Sequence, residues 1–399
     1  MDAASKAGVF RGFAQEIVTY EELVELFESD GHPIAYDGFE PSGVAHLPVG
    51  VYRPLLLKQM LSTGVRFKLL LADSYAWINE KMGGDLARIK LVGDYFVEVW
   101  KAAGVPFSAK PTAGKVCVVS HYADFVSDKE YWFKVFQVGR HHSEARTKRA
   151  LTIAGRGEAD IRQAAQLFYP SMQAADIFQL ADDPVKEPII CQLGLDQRKA
   201  NMLARDMADK LGYKKPVAVH HRILLGLDGE SSASAADEPG RPASASAPSI
   251  RLGPAGSDEG VTGSDADERV LKYKMSKSRP ESCIFVHDSI ELIASKLSKA
   301  YCPAKIVAGN PVLEYAREMV FRAKSELTVE RPAKFGGELA FTSYGELEKA
   351  FVDGGLHPMD LKTAVARELD LLIAPVRTHF ESGSGRKLLD EIREFEVTR

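Results

Sequence analysis

The sequence predicts an α/β protein: a Rossmann-like parallel-sheet catalytic domain followed by a mainly helical C-terminal domain. Three observations carry that expectation. Short apolar runs alternate with helix-patterned segments through the first 227 residues, the signature of strands wrapped by helices. Past residue 286 the apolar spacing is helical and cap residues punctuate it. The chain has 399 residues, 45% of them hydrophobic, enough to build cores for two or three domains.

Strand patterns cover 33–36, 66–72, 115–120 and 217–223, with a further apolar run at 188–191. Between them, helical spacing covers 48–61, where Pro48 suits a first turn, and 85–103, where Asp85 is the expected N-cap. Helices are also expected over 162–180 and 197–211. Residues 228–270 differ in kind. They are rich in Ala, Ser, Gly, Pro and Asp and hold no aromatic residue, so they cannot bury enough surface to offset their ordering entropy. A disordered low-complexity insertion is expected there, with a tail that binds a partner as the other reading. Beyond it, Asp288 and Glu291 are spaced to cap a helix over 288–300. Asn310 and Pro311 start a second, Ser343 and Glu346 a third, and 359–380 forms a fourth. The expected division is 1–227 catalytic, 228–270 insertion, 271–285 a lysine-bearing loop and linker, and 286–399 a helical domain.

A net charge of −4 does not mark the whole chain as a nucleic-acid binder, although a local basic surface is all a phosphate backbone needs. The four cysteines, Cys117, Cys191, Cys283 and Cys302, form no CxxC pair, which argues against a zinc knuckle or a disulfide framework. No metal-ligating residue set is expected. The N-terminus lacks the apolar core of a targeting peptide, and no run of about 18 apolar residues occurs, so the expected location is cytoplasmic with no membrane span.

Four motifs carry chemistry. In KMSKS, Lys274 and Lys277 place two ammonium groups three residues apart around Met275, suited to charge that grows as pyrophosphate leaves; a solvated basic loop is the bland alternative. In the turn DGFEPSGVAHLPVG, Gly38 and Gly43 let backbone approach a phosphate and His46 stands at a helix start, where a capping or surface role competes. In YPSMQAAD, Tyr169, Gln173 and Asp176 fall on one helix face and present a phenol, an amide and a carboxylate. A ligand with an amine at one end and a hydroxyl at the other would satisfy them, and so would a structural polar network. In QLGLDQRK, Gly194, Asp196 and Gln197 stand at the mouth of the sheet, with Asp196 as a plain N-cap the competing view.

Together these motifs resemble the class I aminoacyl-tRNA synthetases and, within them, the tyrosyl-tRNA synthetases of archaeal and eukaryotic cytosolic type. The resemblance implies a tyrosine--tRNA ligase activity: ATP as substrate with Mg2+, L-tyrosine activated to its adenylate, and tRNA(Tyr) charged by a homodimer. It implies that Tyr36 and Asp176 hold the substrate phenol, that Tyr169 and Gln173 hold its amine, and that Gln197 closes the pocket. Gly38, Gly43, Gly194, Asp196 and Met275 would line the nucleotide, and His46, Lys274 and Lys277 would stabilise its phosphates. Phe335, His357 and Asp360 would read the first anticodon base. Two departures stand out: the HIGH-like tetrad reads His46, Leu47, Pro48, Val49, and Tyr75 occupies a place where archaeal relatives often carry histidine. The rival readings are a tryptophanyl-tRNA synthetase and a non-catalytic, synthetase-like RNA-binding protein.

Overall fold

A computed structural model describes residues 1–151, 163–229 and 273–396. The insertion expected at 228–270 therefore lies, but for its first two residues, outside the described residues. The described chain forms two compact units. The first comprises Met1–Val44, Leu56–Ile223 and His379–Arg399, the second Ala45–Leu55 and Leu224–Thr378. This division is not linear in sequence, unlike the expected one: the segment Ala45–Leu55 joins the second unit, and the last helix joins the first.

The first unit is built on a six-stranded sheet. Its strands are β1 (Ala14–Val18), β2 (Ile34–Phe39), β3 (Arg66–Leu71), β4 (Val116–Ser120), β5 (Ile190–Gly194) and β6 (Val217–His221), in the order β1-β6-β5-β2-β3-β4. All neighbours are parallel except β1, which pairs antiparallel with β6 at the edge. β5 and β6 are buried along their whole length, as strands covered on both faces must be. Chain order runs outward from β2 to β3 and β4 on one side and resumes with β5 and β6 on the other. The order reverses between β2 and β5, and the crevice beyond their carboxyl ends is where such sheets bind ligands.

The helices of this unit follow from local signals. α1 (Ala3–Arg11) and α2 (Tyr20–Ser29) precede β2. α2 opens with a reciprocal capping box between Thr19 and Glu22 (3.2 and 3.1 Å) and buries Leu23, Leu26 and Phe27, one stripe at i, i+3, i+4. α3 (Arg53–Leu61) and α4 (Asp73–Ile78) flank β3. α5 (Leu86–Ala102) is capped by Asp85, which accepts from the amides of Ala87 and Arg88, as its sequence predicts. α6 (Lys129–Arg140) and α7 (Glu144–Ala150) follow β4. α8 (Tyr169–Leu180) carries ten buried residues out of twelve. α9 (Arg198–Leu211) buries Ala200, Leu203, Ala204 and Met207 and stops at Gly212, whose φ of 71° favours a residue without Cβ.

The described part of the second unit is mainly helical: α10 (Ile290–Lys299), α11 (Pro311–Tyr315), α12 (Tyr344–Asp353) and α13 (Pro358–His379), whose last residue crosses into the first unit. A hairpin of β7 (Leu327–Val329) and β8 (Leu339–Phe341) stands among them, and α14 (Gly383–Glu396) belongs to the first unit. Asn310 caps α11 through the amides of Val312 and Leu313. Two expected caps resolve differently. Ser289, not Asp288, caps α10, because the Asp288 carboxylate is taken by Lys296 at 2.6 Å and the Phe285 amide at 3.1 Å. Ser343 caps α12 as expected, but Glu346 reaches back to Thr342 and not to Ser343. The helix expected from residue 48 begins as a π-turn over Pro48–Tyr52, and the one expected over 162–180 is preceded by a 3-10 turn over Ala164–Phe168.

Candidate active site

α8 positions the first group. It starts with Pro170 in its first turn, a place where a missing amide hydrogen costs no intrahelical bond. Its polar stripe of Tyr169, Gln173 and Asp176 points into surroundings rich in aromatic rings, and each member finds a partner. The Tyr169 hydroxyl donates to Glu40 Oε1 at 2.7 Å, and Asn79 donates to the same oxygen at 2.7 Å. Gln173 Nε2 donates to Gln197 Oε1 at 3.0 Å, while Gln173 Oε1 is buried without a partner.

Asp176, 1% exposed, is the best-served group of the stripe. Its Oδ2 accepts the Tyr75 hydroxyl, and its Oδ1 accepts the Tyr131 hydroxyl at 2.8 Å and faces His121 Nε2 at 3.1 Å. His121 Nε2 also lies 2.8 Å from the Tyr131 oxygen. Because Tyr131 gives its proton to the carboxylate, Nε2 faces these oxygens as a donor, while the buried Nδ1 has no partner. Burial, reinforced by the Asp176 charge, pushes the Tyr75 and Tyr131 phenols far above their ordinary value, so both stay protonated and act as donors. Burial and Glu40 do the same for Tyr169.

β2 supplies Tyr36, whose register partner on β5 is Cys191. Tyr36 is 2% exposed, and its hydroxyl is buried with no partner in hydrogen-bonding geometry, although the Cys191 thiol acts on it electrostatically. Burial first, then Cys191 and Asp176, hold this phenol protonated. Gly38 follows on β2, and a Cβ there would lie 3.7 Å from Leu70. Gly194 ends β5, and a Cβ there would meet the Asp196 carboxylate at 2.6 Å and Ile223 at 2.7 Å, so glycine is required by close approach. Asp196 does not cap α9; it sits in a 3-10 turn over Leu195–Gln197, which removes the plain N-cap reading. Gly43, with φ of 72°, turns the chain after β2.

The second unit carries the cationic group. His46 pairs with Phe285 in an isolated antiparallel bridge, and its carbonyl accepts from the amides of Val49 and Gly50. Its Nδ1 is buried without a partner. Burial first, then Lys277 and Lys274, hold its imidazole well below the usual histidine range, so it is neutral at neutral pH. Buried Met275 anchors the lysine loop, with its amide on the Leu224 carbonyl at 2.9 Å. Lys274 bridges to Leu225, and both lysines are half-buried, unlike those of a fully solvated loop. Elsewhere in this unit Phe335 is 61% exposed beneath the Lys334 ammonium, 4.9 Å from the ring centroid. His357 is exposed and accepts the Met359 amide at 3.2 Å, and Asp360 lies in the first turn of α13.

Four residues of the first-unit cluster escaped the motif reading: Glu40, Tyr75, His121 and Tyr131. Glu40 left a signal, as a carboxylate in the turn just after β2. Tyr75 was visible only as a departure from a pattern. His121 and Tyr131 left none, since their role exists only through packing.

A model of the family described as tRNA synthetases class I (W and Y) matches residues 28–239 and 270–373. A tyrosine--tRNA ligase of Aeropyrum pernix is 43% identical over 96% of this chain and 95% of its own length. One from Sulfurisphaera tokodaii is 41% identical over 96% and 94%. The crystal structure of the Pyrococcus horikoshii tyrosyl-tRNA synthetase complexed with L-tyrosine superposes with a TM-score of 0.79 at 34% identity, covering 99% of this chain and all of that one. With matches on this scale at both the sequence and the structure level, the chain belongs to the class I tRNA synthetase family of tryptophan and tyrosine enzymes.

Proposed function

We propose that this chain activates L-tyrosine with ATP and transfers the tyrosyl group to the 3′ end of tRNA(Tyr). The observation that carries the choice of amino acid is the Asp176 carboxylate. It is buried and surrounded by phenol donors, and Tyr36, whose hydroxyl still lacks a hydrogen-bond partner, feels its charge. A substrate phenol donating to Asp176 and accepting from Tyr36 fits that chemistry. Phenylalanine would leave both polar groups short. Sites built to bond a hydroxyl reject the analogue lacking it by about 10⁴–10⁵, a range that comes from tyrosine-specific synthetases themselves and is a property of that class of enzyme.

In the first step the tyrosine carboxylate oxygen attacks the α-phosphorus of ATP. A P–O bond forms as the bond to the β-phosphate bridging oxygen breaks, giving tyrosyl-adenylate and pyrophosphate. In the second, a ribose hydroxyl of the tRNA end attacks the acyl carbon and AMP leaves. No covalent enzyme intermediate is needed; the protein works by positioning and by electrostatic stabilisation. Tyr169, Gln173 and Gln197 hold the amine end, with Glu40 fixing Tyr169. Gly38, Gly43, Gly194 and Asp196 line the nucleotide. Lys274 and Lys277 meet the charge that develops on pyrophosphate, and neutral His46 donates one hydrogen bond to a phosphate without adding a buried charge. Mg2+ neutralises phosphate charge when bound. Among the described residues there is no cluster of three or more His, Cys, Asp or Glu side chains that would cage a metal, which suits an ion held mainly by phosphate oxygens and water.

Phe335, His357 and Asp360 read the first anticodon base, by stacking and hydrogen bonding. The working form is a homodimer; Phe133 and Phe136, each 57% exposed and three residues apart on α6, offer an apolar face for a second copy. No helix among the described residues is long and apolar enough to cross a membrane. The four unpaired cysteines suit the reducing cytoplasm, where translation takes place. Pyrophosphate exchange into ATP tests the reading with tyrosine, tryptophan or phenylalanine offered in turn. Exchange with tyrosine alone is expected. Exchange driven by tryptophan would identify the sister enzyme, and none with any amino acid would leave a non-catalytic RNA-binding protein.

A further inference from the structure

A carboxylate offers about four lone-pair sites, two on each oxygen. Three donors from the protein already address Asp176: Tyr131 and His121 on Oδ1 and Tyr75 on Oδ2. One site on Oδ2 remains. The three donors also interlock. The Tyr75 ring lies 4.8 Å from the His121 ring and 4.4 Å from the Tyr169 ring, both edge-on, and the His121 ring lies 5.3 Å from Tyr131. Tyr75, His121 and Tyr131 are each at most 2% exposed. Such an arrangement fixes the carboxylate's rotation and leaves no open lone pair on Oδ1 for water.

We propose that Tyr75, His121 and Tyr131 form a donor cage that sets tyrosine selectivity by reducing Asp176 to a single open acceptor site, the one a substrate hydroxyl must fill. The cage deepens the reading of Asp176 as the phenol ligand and rests on it. The three are positioning residues acting through Asp176. With the cage intact, a bound phenylalanine leaves the last acceptor site dry and empty. With a donor removed, the carboxylate turns or admits water, and phenylalanine no longer leaves it short. Selectivity then falls even though Asp176 and Tyr36 are untouched.

Full-length Tyr131→Phe, His121→Leu, His121→Gln and the parent are compared by amino-acid-dependent pyrophosphate exchange, measuring kcat and KM for tyrosine and for phenylalanine, with thermal unfolding alongside. Tyr131→Phe and His121→Leu should lower the tyrosine/phenylalanine ratio of kcat/KM by about tenfold, the size of one hydrogen bond to a charged group. The change should appear as a lower KM for phenylalanine together with a higher KM for tyrosine. His121→Gln, which keeps an N–H donor, should retain most of the ratio. Tyr75→Phe repeats the measurement if Tyr131→Phe fails to fold. A merely structural role would lower the unfolding temperature while leaving the ratio within about twofold of the parent in both donor-deleted variants, and that result overturns the cage. Absence of tyrosine-dependent exchange in the parent is a different failure: it overturns the functional reading itself, and the cage with it.

Discussion

The candidate ligand groups of the two units stand in different surroundings. In the first, the polar stripe of α8 is sealed among aromatic rings and almost every atom has a partner within the protein. In the second, Lys274 and Lys277 are half-buried and Phe335 is largely exposed. Under the proposed function, the difference separates two modes of recognition. A dry network discriminates through the cost of leaving one buried group short, about 1–3 kcal/mol and more for a charge. A cationic loop or an exposed ring gains by attraction and stacking, which tolerate variation in the partner.

The contrast can be broken or sharpened by substitution. The largest effect is expected for Lys277→Ala, which should slow adenylate formation in stopped-flow by about 10²–10³ and alter tyrosine binding far less. An equal loss in both would erase the division of labour. Asp176→Asn should reduce the tyrosine/phenylalanine ratio of kcat/KM by about 10², since the amide offers one acceptor and two donors to a cage made of donors. An unchanged ratio would show that the selective group lies elsewhere. Phe335→Ala should raise KM for tRNA about tenfold through a lost stack, with tyrosine-dependent exchange unaltered. A matching fall in exchange would place Phe335 in the chemistry instead.

The smallest effect concerns His46. Its imidazole titrates below the usual histidine range in the folded chain because burial and two lysines disfavour the charged form. The unfolded chain therefore binds the proton first. The stability from the neutral ring is fully present above about pH 6.5 and is lost as pH falls towards the folded pKa, by at most about 1.4 kcal/mol per pH unit. His46→Asn should flatten that part of the slope in urea titrations at pH 7 and pH 5.5. An unchanged slope would mean the ring is solvated.

Local patterns made much of the fold legible. The Asp85 cap, the Asn310–Pro311 start and strands β3 and β4 fall within a residue or two of the expected places, because neighbours in sequence set caps and short apolar runs. Edge strand β1 and helix α1 carry patterns too weak to single out, whereas α2 carries a capping-box signal at Thr19 and Glu22. Asp288 lost its capping role to Lys296, a competition that spacing does not reveal. In the site, Tyr169, Gln173 and Asp176 were legible as one helix face. Whether a ligand or other side chains satisfied them was not, and the structure's answer is mostly side chains.

The sequence by itself determined the chemical vocabulary: a lysine pair, a glycine turn, a polar stripe on one helix and a low-complexity segment. Each is a matter of residues within one turn or loop, where spacing translates directly into geometry. Only the tertiary structure decided what surrounds Asp176. Its donors come from 45, 55 and 101 residues away, brought together by a crossover sheet and by helices packed over it. Contacts at that separation depend on burial and packing shared across the whole unit, and no local pattern encodes them.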